Sequence, residues 1–520
     1  MAGGPRQVVS TVPTGRPGDT GGSRVSADPG FVRWLRDVRP GGGAEYLVGA
    51  AVLVWGLLLA LSNLPVAGIT PDERAYLDNG WAYVHGDFSG NGEHPYTAKV
   101  LMGLGQLIGG HNVVADRTAA GLASVATGVV IWWWLRRDAG RATGLIGGAL
   151  WLLLPRPIGV VGLRIDRFGL LEPFMMLFAV IAMAATRWWI RTGRRRAAVW
   201  AGVAIGLSVT SKVTTVVLVP VLLIAALAAR PSRRTAGQAG LFAAAAAAVV
   251  VVTYLPAPGF LGQAVAMLRY QSAHSSRGHM VVVAGTVTPR PPWWANLYWM
   301  WEGLGVAATI ALAIGLVLLA VQRGRPTAVT ALVAANLAAL AVFLLAVSSV
   351  ALQHYYYALV PEITVLAALG IGRPLDIWLT RRTRPRPADS PQAGAVLRCA
   401  ALAAVLATGV AAVGLSVQTA TQHPGGVKLA AEILAVEHVP PGPIVVAGFR
   451  PLEYQPYLPT AAGTFPTDRD TPAVAVIVQR GDPSTPPSAA VLRRLRRTAP
   501  YYRKLTADHT IDIYLPTATP

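Results

Sequence analysis

The chain is written as long apolar runs cut by short basic clusters, with two polar inserts, residues 69–99 and 258–294, set between runs. Runs of about twenty apolar residues without strict alternation match a helix crossing roughly 30 Å of hydrocarbon, and not a β-barrel strand. They predict about eleven transmembrane helices, near 44–64, 113–135, 142–163, 172–189, 197–210, 213–229, 234–256, 296–321, 327–350, 355–371 and 395–417. A short interfacial helix is expected at 100–110. Residues 1–43, rich in Gly, Pro, Ser and Arg and lacking a signal-like apolar run, read as a disordered tail. Residues 419–520 read as a small α/β domain, with a helix at 427–438 and strands at 444–447, 474–478 and 511–515. The expected fold class is therefore an all-α polytopic membrane protein, its catalytic domain over 44–418, followed by a small α/β domain.

Composition agrees: 53% of residues are hydrophobic and 13% charged, against roughly 25% charged in soluble domains. The net charge of +20 would suit nucleic acid, but the arginines cluster in loops between runs, where they report topology. The implied partner is a lipid bilayer, not nucleic acid. By the positive-inside rule the N-terminus and basic loops are cytoplasmic. Both inserts, the turn before Glu172, the Gln353–His354 turn and the C-terminal domain then face outward. A single cysteine, Cys399, excludes an internal disulfide and a cysteine-based metal site.

The outward segments hold the chemistry. The first insert carries Asp72, Glu73, Asp78, Asp87, Glu93, His85, His94 and Lys99. The Asp72–Glu73 pair after Pro71 has two readings. One carboxylate can take a proton from an acceptor hydroxyl while the other orients the site, or the pair can cap a helix and meet its dipole. The turn GLRIDRFGLLEPF brings Arg164, Asp166, Arg167 and Glu172 to the mouth of a span, where dense charge is costly and usually functional. Lys212, between two runs, either snorkels or faces a phosphate. The second insert carries His274, Arg277 and His279 ahead of Trp293 and Trp294, aromatics that also suit a membrane interface. Acids and cations gathered on one side suit a polyprenyl-phosphate-linked substrate. Such a leaving group departs as an anion without a protonating acid, so the site needs a base for the acceptor and positive charge for the phosphate. Asp72 supplies the first; Lys99, Arg164, Arg167 and Lys212 supply the second.

Five segments carry a family likeness: Pro71-Asp72-Glu73, EHPYTAK at 93–99, RFGLLE at 167–172, YQSAHSSRGH with a later PWW, and HYYYALVP from His354. Over about 44–372 the chain resembles the GT-C glycosyltransferases, in particular the protein O-mannosyltransferase and lipid A aminoarabinose transferase group. It departs from the family pattern with HPY for HPP and Glu172 for Asp, and it lacks the large soluble insert of eukaryotic O-mannosyltransferases. The resemblance implies inverting transfer of a sugar from a polyprenyl-phosphate donor to a hydroxyl of a protein, lipid or glycan at the outer face of the plasma membrane. It implies Asp72 as base, with Glu73 structural or orienting the acceptor. Glu172, Gln271, His274, Gly278 and His279 join the cations in the donor site, and Glu93 with His274 is the pair a divalent cation would use. A lipid-linked sugar transporter is the competing reading. It is disfavoured because the ionisable groups lie at span ends on one side and the halves show no repeat.

Overall fold

The computed structural model describes residues 43–158, 163–322, 327–383, 391–465, 472–481, 485–496, 498–505 and 510–515. The expected N-terminal tail lies outside them, apart from Gly43. Among the described residues eight helices are long and apolar enough to cross a bilayer: Gly43–Leu61, Val113–Asp138, Glu172–Thr192, Arg233–Tyr254, Ala295–Val321, Ala328–Val347, Tyr355–Leu379 and Gly394–Ala420. The protein is a multi-pass membrane protein. The other three expected spans form as shorter helices, Arg141–Leu153, Arg195–Ser211 and Val213–Ala229. The first stops because Pro155 and Pro157 follow it, and prolines cannot continue the backbone ladder.

Burial ranks the helices. Within the apolar window of Glu172–Thr192, 72% of residues are buried, and within that of Tyr355–Leu379, 83%, against 17% for Gly43–Leu61. The helices that begin at Glu172 and Tyr355 are therefore central, and exposed Leu47, Val54 and Leu58 on the first helix face the lipid side. Basic loops gather at one end. Arg136 pairs with Glu45 at 2.5 Å, and Arg187 and Arg191 pair with Asp138 at 3.2 and 3.0 Å.

At the other end the first insert folds into two packed helices, Pro71–Val84 and Thr97–Gly109. Thr70 caps the first: its hydroxyl accepts from the Glu73 amide and the Glu73 carboxylate accepts from the Thr70 amide, a reciprocal box, with Pro71 opening the helix. The two helices cross at glycines. A Cβ on Gly103 would lie 2.1 Å from the Gly80 carbonyl oxygen, and one on Gly80 would lie 2.7 Å from that of Lys99. The second insert, read from sequence as a loop, contains a helix, Leu261–Arg277, and a hairpin pairing Val281–Val283 with Thr286–Thr288.

The C-terminal segment forms a four-stranded sheet. Ile444–Ala447 pairs in parallel with Ala475–Arg480, which pairs antiparallel with Thr510–Tyr514, and Tyr502–Leu505 closes the other edge. Val427, Ala430 and Leu434 of the helix Gly426–Val436 pack on Val446, Ile477, Ile511 and Ile513. The edge strand Tyr502–Leu505 was not expected; it is short and half polar. The segment is tied to the helical body: the Asn63 amide donates to the Thr419 carbonyl at 2.8 Å, and the Ile69 amide donates to the Tyr457 hydroxyl at 2.9 Å.

Candidate active site

The central feature is a buried ion pair between Lys212 and Glu172, which His354 shares, its Nε2 standing 3.3 Å from Glu172 Oε1. Glu172 opens its helix, so the free amides and dipole of that turn also favour its charge. Lys212 sits at the break after Arg195–Ser211, its Nζ 4.3 Å from the centre of the Tyr355 ring. Burial by itself would lower the Lys212 pKa, but Glu172 more than offsets it and holds the ammonium above its ordinary value. The cluster thus keeps a cation at this end of the central helices.

Asp72 adjoins it. Its carboxylate lies exposed on the first turn of Pro71–Val84. It acts electrostatically on Lys212, His354, Tyr355, His279, Tyr76 and Tyr270. The second insert supplies the facing side. Tyr270 stacks on His274 with ring centres 6.0 Å apart, His274 lies 5.4 Å from His279, and the Glu93 carboxylate acts on the Tyr270 hydroxyl. Gln271 Nε2 donates to the Glu93 carbonyl at 2.7 Å and stands 3.5 Å from His94 Nδ1. His94 is held neutral: burial, then Lys212 and Lys99, press its pKa down to about 3. Of the expected site residues, Asp72, Glu172, Lys212, Glu93, Gln271, His274 and His279 therefore come together. Tyr76, His94, Tyr270, His354 and Tyr355 complete the constellation.

Four expected residues stand elsewhere. Glu73 is fully buried and takes a bidentate pair from Arg117, Nε to Oε1 and Nη2 to Oε2, both at 2.7 Å. It also accepts from the Gly169 amide at 2.8 Å. Arg117 donates onward to the Leu64, Ala67 and Gly68 carbonyls, so Glu73 anchors the insert to the body. Lys99 is buried, and its ammonium meets Asn91 O at 2.7 Å, Asn91 Oδ1 at 2.9 Å, His94 O at 3.0 Å and the Tyr83 hydroxyl at 3.2 Å. Those acceptors use its three protons, and burial lowers its pKa well below the usual lysine range. It pins the loop before His94 and is not placed to hold a phosphate.

Arg164 is likewise spent: it pairs with Asp166 through Nε at 2.8 Å and through Nη2, and donates from Nη1 to the Leu152 carbonyl at 2.8 Å. Arg156 and Ser124 complete that cluster, so Asp166, which could have been a simple helix cap, is its hub. Arg167 donates to the Ser62 carbonyl and, at 3.1 Å, to Gln422 Oε1. It joins the first helix to the chain entering the C-terminal segment. Among the described residues no group of three or more His, Cys, Asp and Glu is placed to hold a metal ion. The donor set does not fit the expected cation, and no step is assigned to one.

A family model described as dolichyl-phosphate-mannose-protein mannosyltransferase matches residues 93–256. ArnT from Cupriavidus metallidurans bound to undecaprenyl phosphate superposes with a TM-score of 0.57 at 14% identity, covering 94% of this chain and 99% of that one. The oligosaccharyltransferase of Archaeoglobus fulgidus in its apo form gives 0.56 at 13% identity, covering 80% of this chain and 64% of that one. Its complex with an inhibitory peptide and a dolichol-phosphate gives 0.53 at 12% identity, over 84% and 69% of the two chains. No curated protein sequence matches. The chain has the GT-C fold of these membrane glycosyltransferases, the class that its charged span-end segments resemble.

Proposed function

We propose that the protein transfers a sugar, with inversion, from a polyprenyl-phosphate carrier to a hydroxyl acceptor at the outer face of the plasma membrane. The observation that carries the reading is the exposed Asp72 carboxylate beside the buried Lys212–Glu172–His354 cluster. A carboxylate suited to act as base then stands next to a cation where, among the described spans, the two most buried helices begin. In the reaction the acceptor oxygen bonds the anomeric carbon from the face opposite the phosphate, and the bond from that carbon to the phosphate oxygen breaks. Asp72 takes the acceptor proton, and the carrier phosphate leaves as an anion. Lys212 meets the charge that develops on that phosphate, and Tyr355 and the neutral His94 wall the cluster from water. Tyr270, His274 and His279 line the rim of the donor site beside Asp72. The lipid phosphates bound to ArnT and to the archaeal oligosaccharyltransferase, and the mannosyl-phosphate chemistry in the matched family's description, support a carrier of this kind.

The test is transfer by the purified protein, offered radiolabelled polyprenyl-phosphate sugars and mixed protein, lipid and glycan acceptors. Label should move to one acceptor class and fail to move with Asp72→Asn. Flipping without transfer in both proteins would replace the reading with a transporter.

A further inference from the structure

The C-terminal segment reaches the site. The turn Pro451–Tyr454 packs on the helix Pro71–Val84, and the Tyr457 hydroxyl accepts from the Ile69 amide three residues before Asp72. Arg450, just before that turn, is half-buried, and its guanidinium and the Asp72 carboxylate both act on the His279 imidazole. A residue nearly 380 positions along the chain is thereby brought to the rim on which Asp72 stands.

Charge makes the position informative. Asp72, Glu93 and Glu172 contribute three carboxylates to the constellation, and Lys212, its buried cation, is already matched by Glu172. Lys99, Arg164 and Arg167 are committed to internal acceptors. Arg277, at the end of the helix Leu261–Arg277, also acts on Tyr270, yet the carboxylates still outnumber the cations, so without a further cation an arriving lipid phosphate meets an excess of its own sign. A guanidinium at the rim supplies that cation in a planar fork matched to phosphate oxygens.

We propose that Arg450 is the second phosphate-binding cation of the site, so that the C-terminal domain completes the pocket for the lipid carrier. The inference rests on the carrier reading above. Its test is equilibrium binding of undecaprenyl phosphate alone to the full-length purified protein, with thermal unfolding followed in parallel. Arg450→Ala should weaken binding about ten- to a hundredfold, the loss of one charge-assisted contact, with Arg450→Lys recovering part of it. Tyr457→Phe, which removes only the domain's hydrogen bond to Ile69, should bind within about threefold of wild type, as expected for one neutral hydrogen bond at the low end of its range. Equal affinity in wild type and Arg450→Ala overturns the inference while leaving the carrier reading intact. A wild type that does not bind overturns the carrier reading itself. Should Arg450→Ala unfold, Arg450→Gln makes the same comparison.

Discussion

Asp72 and Glu73 are neighbours on one helical turn, yet the structure divides them: Glu73 is fully buried on Arg117, while Asp72 stands exposed at the Lys212–Glu172 cluster. The capping reading thus applies to Glu73, which also anchors the insert, and Asp72 is left as the proposed base. Asp72→Asn should lower transfer by about 10²- to 10⁴-fold, the usual worth of a general base, and leave thermal unfolding unchanged because the group is exposed.

Glu73→Ala should do the opposite. It strands the Arg117 guanidinium without its counter-charge, and breaking one side of a buried pair costs about 3–5 kcal/mol. Thermal unfolding in detergent would show the drop. Glu73→Leu with Arg117→Met should recover part of it, since the stranded charge is gone while the Leu64, Ala67, Gly68 and Gly169 backbone groups lose their partners.

The Lys212–Glu172 pair allows stability and chemistry to be separated. Lys212→Met leaves Glu172 buried and unmatched by an ammonium, so both stability and transfer should fall. Adding Glu172→Gln should restore stability without restoring transfer, because the cation for the phosphate is still missing. Recovery of transfer in the double variant would show that the pair is purely architectural.

Acid should loosen the insert through His94. In the unfolded chain its imidazole protonates near 6.5, while in the folded protein burial and the nearby lysines hold the pKa at about 3. Between those values the unfolded chain binds more protons, so stability falls as pH falls from about 6.5 toward 3. Above that window His94 contributes no slope. Unfolding temperatures measured across this range should decline less steeply in His94→Gln.

Much of this architecture can be read along the chain, because apolar run length and basic loops are local signals. The strands at Ile444–Ala447 and Ala475–Arg480 are legible as β-branched runs for the same reason. The helix Leu261–Arg277 is not, since its polar stretch Gln271–Arg277 carries no apolar period and stops at Gly278. The charged segments that form the constellation stand out as expensive groups at span ends. Their division of labour does not, because it depends on which partner each group meets once the chain is folded. Asn91 and the His94 carbonyl take up Lys99, Asp166 takes up Arg164, and Arg117 claims Glu73. Tyr270 and Tyr355 lie inside segments of the family likeness without being singled out there, Arg450 lies in none of them, and packing brings all three toward Asp72.

The contact between Gly80 and Gly103 has a consequence well beyond its size. The helix bearing Asp72 rests there on its neighbour with no room for a methyl group, so the tilt of that helix, and with it the reach of the carboxylate, is set by two missing side chains. A methyl at Gly103 would work as a wedge at the fulcrum of a lever, swinging the proposed base away from its substrate while every residue of the constellation stayed chemically intact.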